Sequence, residues 1–136
     1  MKSKLTNYSA WNALDEFFRQ IDVQILARKH LEEGQYTIKG YYHDDNQFYE
    51  TVKFTTPLEL KLNSFSMGQT VDDGSHWIRL RFFIRADLSS SAQDVEYDED
   101  KELGDLTLIF DDQGQFIDEN WFIDVYSPFI AAKRGM

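Results

Sequence analysis

The segment from Gly104 to Tyr126 constrains the fold most, because both of its arms repeat with a period of two. Leu106, Leu108 and Phe110 alternate with Asp105, Thr107 and Asp111, the pattern of a half-buried strand. Asp112-Gln113-Gly114 then supplies turn chemistry, with a glycine available for a positive φ. The return arm sets Ile117, Glu119, Trp121, Ile123 and Val125 on one face and Phe116, Asp118, Asn120, Phe122 and Asp124 on the other. Together the arms predict a β-hairpin. Aromatics on both faces of the return arm predict a strand inside a sheet, with material packed on each side.

The same period recurs upstream. Tyr36, Ile38 and Tyr42 are expected to point one way, and Thr37, Lys39, Tyr41 and His43 the other. Asp44-Asp45-Asn46 reads as a turn, followed by a second strand through Phe48, Val52 and Phe54. Leu58, Leu60 and Leu62 mark a third strand, and residues 66–75 a polar loop ending in Asp73-Gly74. The fourth strand is the clearest. Ile78, Leu80, Phe82 and Ile84 share one face, and Trp77, Arg79, Arg81, Phe83 and Arg85 share the other. Residues 86–103 read as an acidic mobile loop, Ser127-Pro128 as the end of the last strand, and 131–136 as a tail.

Before the strands comes a helical stretch. Residues 1–8 look like a flexible arm, with Asn7 or Ser9 available as a cap. Trp11, Leu14, Phe18, Ile21 and Ile25 recur at three- and four-residue steps, one apolar stripe. The β-branched cluster from Ile21 to Ile25 is a place where the helix can split, and Gly34 is its stop. The fold class expected is α+β. An N-terminal helix, split or whole, packs on a curved antiparallel sheet of about six strands.

At 136 residues the chain reads as one domain with enough length for a core. It has no cysteine, so neither disulfides nor thiolate chemistry enter. Two lysines near the N-terminus lack a following apolar run, and no apolar stretch approaches a membrane span. A soluble, cytoplasmic protein is expected. The net charge of −10 is concentrated. Between Asp94 and Asp124 lie twelve acidic residues and one base, Lys101. Such a field repels nucleic acid and anionic membranes and attracts basic partners.

The closing run LTLIFDDQGQFIDENWFID, residues 106–124, resembles the last hairpin of nuclear transport factor 2-like domains, a cystatin-like group that includes polyketide cyclases and ketosteroid isomerases. The matching residues are Leu108, Phe110, Asp112, Gly114, Ile117, Trp121 and Asp124. The resemblance implies a cone with a pocket between helix and concave sheet. The helix usual after the first strand of that family has no place here, because residues 35–65 read as strands. Fold alone names no chemistry.

A search for catalytic motifs excludes more than it finds. His30, His43 and His76 have no ligand-spaced partner, and His43 reads as solvated. The acidic run from Asp94 to Asp105 echoes a calcium loop, but Glu99 stands where such a loop needs glycine. No phosphate loop or nucleophile elbow is present, and no cofactor or metal is expected. Asp118, Asp124 and Glu50 are the carboxylates that a pocket would have to bury for acid–base work. The arginines on the Trp77 face are best explained by pairing with the acidic hairpin.

The function expected is therefore that of a non-catalytic acidic protein docking a basic protein partner, of the immunity or inhibitor type. The binding residues expected are Asp98, Glu99, Asp100, Trp77 and Trp121. An open sheet face would also suit a homodimer. The alternative is a small-molecule pocket enzyme or carrier of the cyclase or isomerase type. A buried carboxylate in a deep apolar pocket would favour the alternative, and a filled core the first.

Overall fold

The structure is a computed structural model that describes residues 9–43, 46–87 and 102–135. Within the first helix it describes the side chains of Asn12 and of residues 15–20. The arm 1–8, the turn residues Asp44 and Asp45, the acidic stretch 88–101 and the side chains of Trp11 and Leu14 lie outside what is described.

The helical stretch is two helices, α1 (Ser9–Gln20) and α2 (Val23–Glu33). Asp22 divides them. Its backbone is extended, and its carboxylate accepts from the amides of Gln24 at 3.0 Å and Ile25 at 3.3 Å. That N-cap starts a new helix and resets the phase. Ile25, placed on the apolar stripe by a continuous helix, is 65% exposed, while Ala27 and Leu31 enter the core.

Among the described residues seven strands follow, one more than expected, and they form two antiparallel sheets rather than one. They are β1 (Thr37–Tyr42), β2 (Phe48–Phe54), β3 (Leu58–Gln69), β4 (His76–Ala86), β5 (Glu102–Asp111), β6 (Phe116–Ile123) and β7 (Ile130–Arg134). One sheet has the order β1-β2-β7 and the other β3-β4-β5-β6. Strand β7 lies where a tail was expected. Its Ala-Ala-Lys-Arg sequence has little strand propensity, and pairing along β2 supplies what propensity does not.

Strand phases are right in the four-stranded sheet and at Val52 and Phe54 of β2, which are buried, and wrong past Gly40 in β1. Leu80, Phe82 and Ile84 of β4 and Leu106, Leu108 and Phe110 of β5 are buried together with Leu58 and Leu60. In β1 the buried residues are Ile38 and Tyr41, and Tyr42 is exposed. Gly40, at φ +74°, breaks the alternation between them. Of the expected loop 66–75, residues 66–69 are the end of β3, and 70–75 form the turn that leads into β4. A bulge between Leu62 and Ser64 shifts the register and sets Phe65 and Met67 opposite Leu80 and Ile78. The expected loop 86–103 is too wide at both ends, since Ala86 closes β4 and Leu103, fully buried, stands in β5.

The closing hairpin forms as expected. Asp111 accepts from the amides of Gln113 and Gln115, both at 2.9 Å, and Gly114 takes φ +80°. A Cβ at Gly114 would meet no atom within 4 Å, so a side chain there is penalised by the backbone alone. Gly114→Val should cost about 1–2 kcal/mol. Equal urea midpoints for variant and parent would place the turn elsewhere. In one respect the hairpin differs from expectation. Strand β6 is not inside a sheet but at its edge, and Phe116 and Phe122 on its outer face are 48% and 53% exposed.

Candidate functional site

A groove of about 640 Å³ runs between the end of α2, strand β1 and strand β6. The Asp22 cap sets its helical wall. With Ala27 and Leu31 turned into the core, His30 comes to lie over β6. Its Nε2 is hydrogen-bonded to Glu119 Oε2, a link across 89 positions of sequence. The imidazole also sits 4.9 Å from the Phe116 ring centroid and stacks on Trp121 at 6.5 Å. The pair fastens α2 to β6.

Trp121 lines the groove beside Glu119. Its ring meets Phe54 of the other sheet at 6.1 Å. Its Nε1 is buried and has no hydrogen-bond partner among the described residues. An unmet buried donor costs about 1–3 kcal/mol.

Tyr41 joins the two sheets at the head of β6. The Ile123 N–H donates to the Tyr41 hydroxyl at 2.8 Å, and that hydroxyl lies 3.4 Å from the Ile123 carbonyl. The Gly40 break puts the ring there, because regular alternation would have turned Tyr41 outward.

On the far side of the four-stranded sheet the β6 row is Phe116, Asp118, Asn120, Phe122 and Asp124, all exposed. On β4, Arg81 pairs with Asp105 of β5 at 2.5 Å. This is the cross-strand pairing expected for the arginine face. The Arg81 guanidinium also lies 5.4 Å from the Phe83 ring centroid. Asp112 stands 3.4 Å from His76. Asp118 and Asp124 instead accept from nearby amides, Glu119 at 2.8 Å and Tyr126 at 3.1 Å, and are exposed to solvent.

Neither a protein-family model, nor a curated protein, nor a solved structure matches the chain. The geometry therefore carries the functional argument alone.

Of the residues expected to bind, Asp98, Glu99 and Asp100 fall outside the described residues. Trp77 and Trp121 occupy opposite faces of one sheet. Trp77 is in register with Asp111 on the far face, and Trp121 with buried Leu106 on the other. Trp77 is half-buried, with the Arg79 guanidinium 4.9 Å from its ring centroid. His43 was expected in solvent. It is half-buried among aromatics, 6.1 Å from Tyr41 and 6.3 Å from Phe122. Sequence reasoning missed His30, Glu119 and Tyr41, whose roles depend on partners more than eighty positions away. Among the described residues no three His, Asp or Glu side chains gather to hold a metal ion. No helix there is long and apolar enough to cross a membrane.

Proposed function

We propose that the protein is a non-catalytic, acidic binding protein that docks a basic protein partner, as immunity and inhibitor proteins do, in the cytoplasm. The observation that carries this reading is the β6 outer row. There, exposed Phe116 and Phe122 stand among exposed Asp118 and Asp124 on an edge strand. Apolar rings within an acidic field are what a basic partner with apolar contacts requires. The composition of the core also supports it. Among the described residues the buried side chains are apolar apart from Ser127, and of the two carboxylates lining the groove Glu33 is exposed and Glu119 is engaged by His30. A cyclase or isomerase of the alternative type would need a buried carboxylate of raised pKa. The fold we read as cystatin-like and nuclear transport factor 2-like. Support comes from the closing hairpin and from the entry of α2, through Ala27 and Leu31, into the core the sheets share.

The test is capture of basic proteins from the source cell, followed by association kinetics. Asp98→Asn, Glu99→Gln and Asp100→Asn together should slow association at low salt about tenfold, the lower end of what electrostatic steering supplies. At 1 M salt, where the Debye length is about 3 Å, the difference should vanish. Melting should not change. If the triple variant associates as fast as the parent at low salt, or no basic protein is captured, the reading fails.

A further inference from the structure

We infer that the open edge of β6 receives an extended basic polypeptide segment, which adds to the four-stranded sheet as a further strand beside Glu119 and Trp121. This rests on the reading above that the partner is basic, and names how it docks.

The backbone phase comes first. The Asp124 N–H donates to the Leu103 carbonyl at 2.9 Å. Hydrogen-bonded pairs alternate along an antiparallel ladder. With Asp105 opposite Phe122 and Thr107 opposite Asn120, residues 120, 122 and 124 bond to β5. Glu119, Trp121 and Ile123 turn their N–H and C=O groups the other way. The Tyr41 hydroxyl reaches the Ile123 N–H from that side, which fits this direction. The Glu119 N–H is taken by the Asp118 carboxylate. Among the described residues, no partner takes the Trp121 N–H or the carbonyls of Glu119 and Trp121, which point toward the edge. There the groove opens, with Thr37 and Lys39 of β1 on its far wall. An unpaired strand edge is a template for another strand.

Charge selects the occupant. A second copy of this chain pairing antiparallel about Trp121 would set Asp118 against Asp124 at both ends of the contact, and like charges facing across strands destabilise. A strand with Lys or Arg at alternate positions meets Asp118 and Asp124 on the outer face. The apolar side chains between them turn to the opposite face of the strand, where Trp121 lines the groove. Tyr41 ends the available edge at Ile123, so the docked segment spans about five residues, or about 17 Å at strand rise.

The test uses the full chain and four capped octapeptides. One alternates Lys and Val, one alternates Glu and Val, and two are the Lys–Val peptide N-methylated at alternate backbone nitrogens, in one frame or the other. Amide exchange at Trp121 is followed by NMR with Phe122, bonded to β5, as reference. In the free protein Trp121 should exchange at least tenfold faster than Phe122. The Lys–Val peptide should slow it at least tenfold, and the Glu–Val peptide should not bind. Each N-methylated peptide, which keeps the charge but loses the ladder donors on one edge, should bind at least tenfold more weakly when that edge faces β6. The second frame covers the other edge. Equal binding of the Lys–Val peptide and both methylated forms would overturn strand addition while leaving a charge-driven basic partner standing. Protection of Trp121 equal to that of Phe122 in the free protein, or no binding by the Lys–Val peptide, would also overturn it. Failure to capture any basic protein would instead overturn the reading of the partner as basic, whatever the peptides do.

Discussion

Phe82→Ala is expected to lower stability by about 3–5 kcal/mol, the range for removing a buried aromatic ring. Phe82 is 0% exposed and central. It stands on β4 in register with Leu62 of β3 and Leu106 of β5, so the cavity would open between three strands. Those strands are held by backbone ladders on both sides of β4, which limits how far they can close on the void. Urea unfolding should show a lower midpoint with an unchanged slope. A loss under about 1 kcal/mol would mean that the site collapses freely and that this face is not the core.

Gly104→Ala should be comparably damaging, for a backbone reason. Gly104 lies at φ +144°, and a Cβ there would fall 1.9 Å from the Phe122 carbonyl oxygen. That contact is with main chain, so no rotamer change relieves it. Strands β5 and β6 would have to part where Leu103 accepts from Asp124 and where Ile123, fully buried, faces Gly104. A cost of about 3–5 kcal/mol follows, at the upper end for a single substitution. It should exceed that of Gly114→Val, since only Gly104 combines the strained φ with a collision. Finding the two variants equally stable would show that the two strands do not approach this closely.

These two positions also mark the limit of what was legible. The burial of Phe82 was readable because β4 keeps an unbroken two-residue period from Ile78 to Ile84. The need for glycine at Gly104 was not, because nothing local announces that β6 passes within contact distance. Likewise the β5–β6 turn was readable from Asp112-Gln113-Gly114, whereas the edge position of β6 was not. A sequence of alternating rings on both faces fits a central strand and an edge strand equally well.

By itself the sequence determined the helix-then-strands order, the inward faces of β3, β4 and β5, the closing turn and the concentration of negative charge. Each depends on neighbours within a few residues, through side-chain alternation, turn chemistry or simple composition. Tertiary structure decided the rest. Asp22 capped a second helix and moved Ile25 out of the core. The Gly40 break turned Tyr41 toward β6. The free side of β2 drew Ile130–Arg134 into a strand. The groove itself joins His30 to Glu119 and sets Trp121 between two sheets. Of these, the Asp22 cap is local, its amide partners being Gln24 and Ile25, and the break falls where the cluster from Ile21 to Ile25 is expected to let the helix split. The others lack a local signature, because the partner that satisfies each hydrogen bond or covers each ring lies on a distant element, and only the folded chain brings the two together.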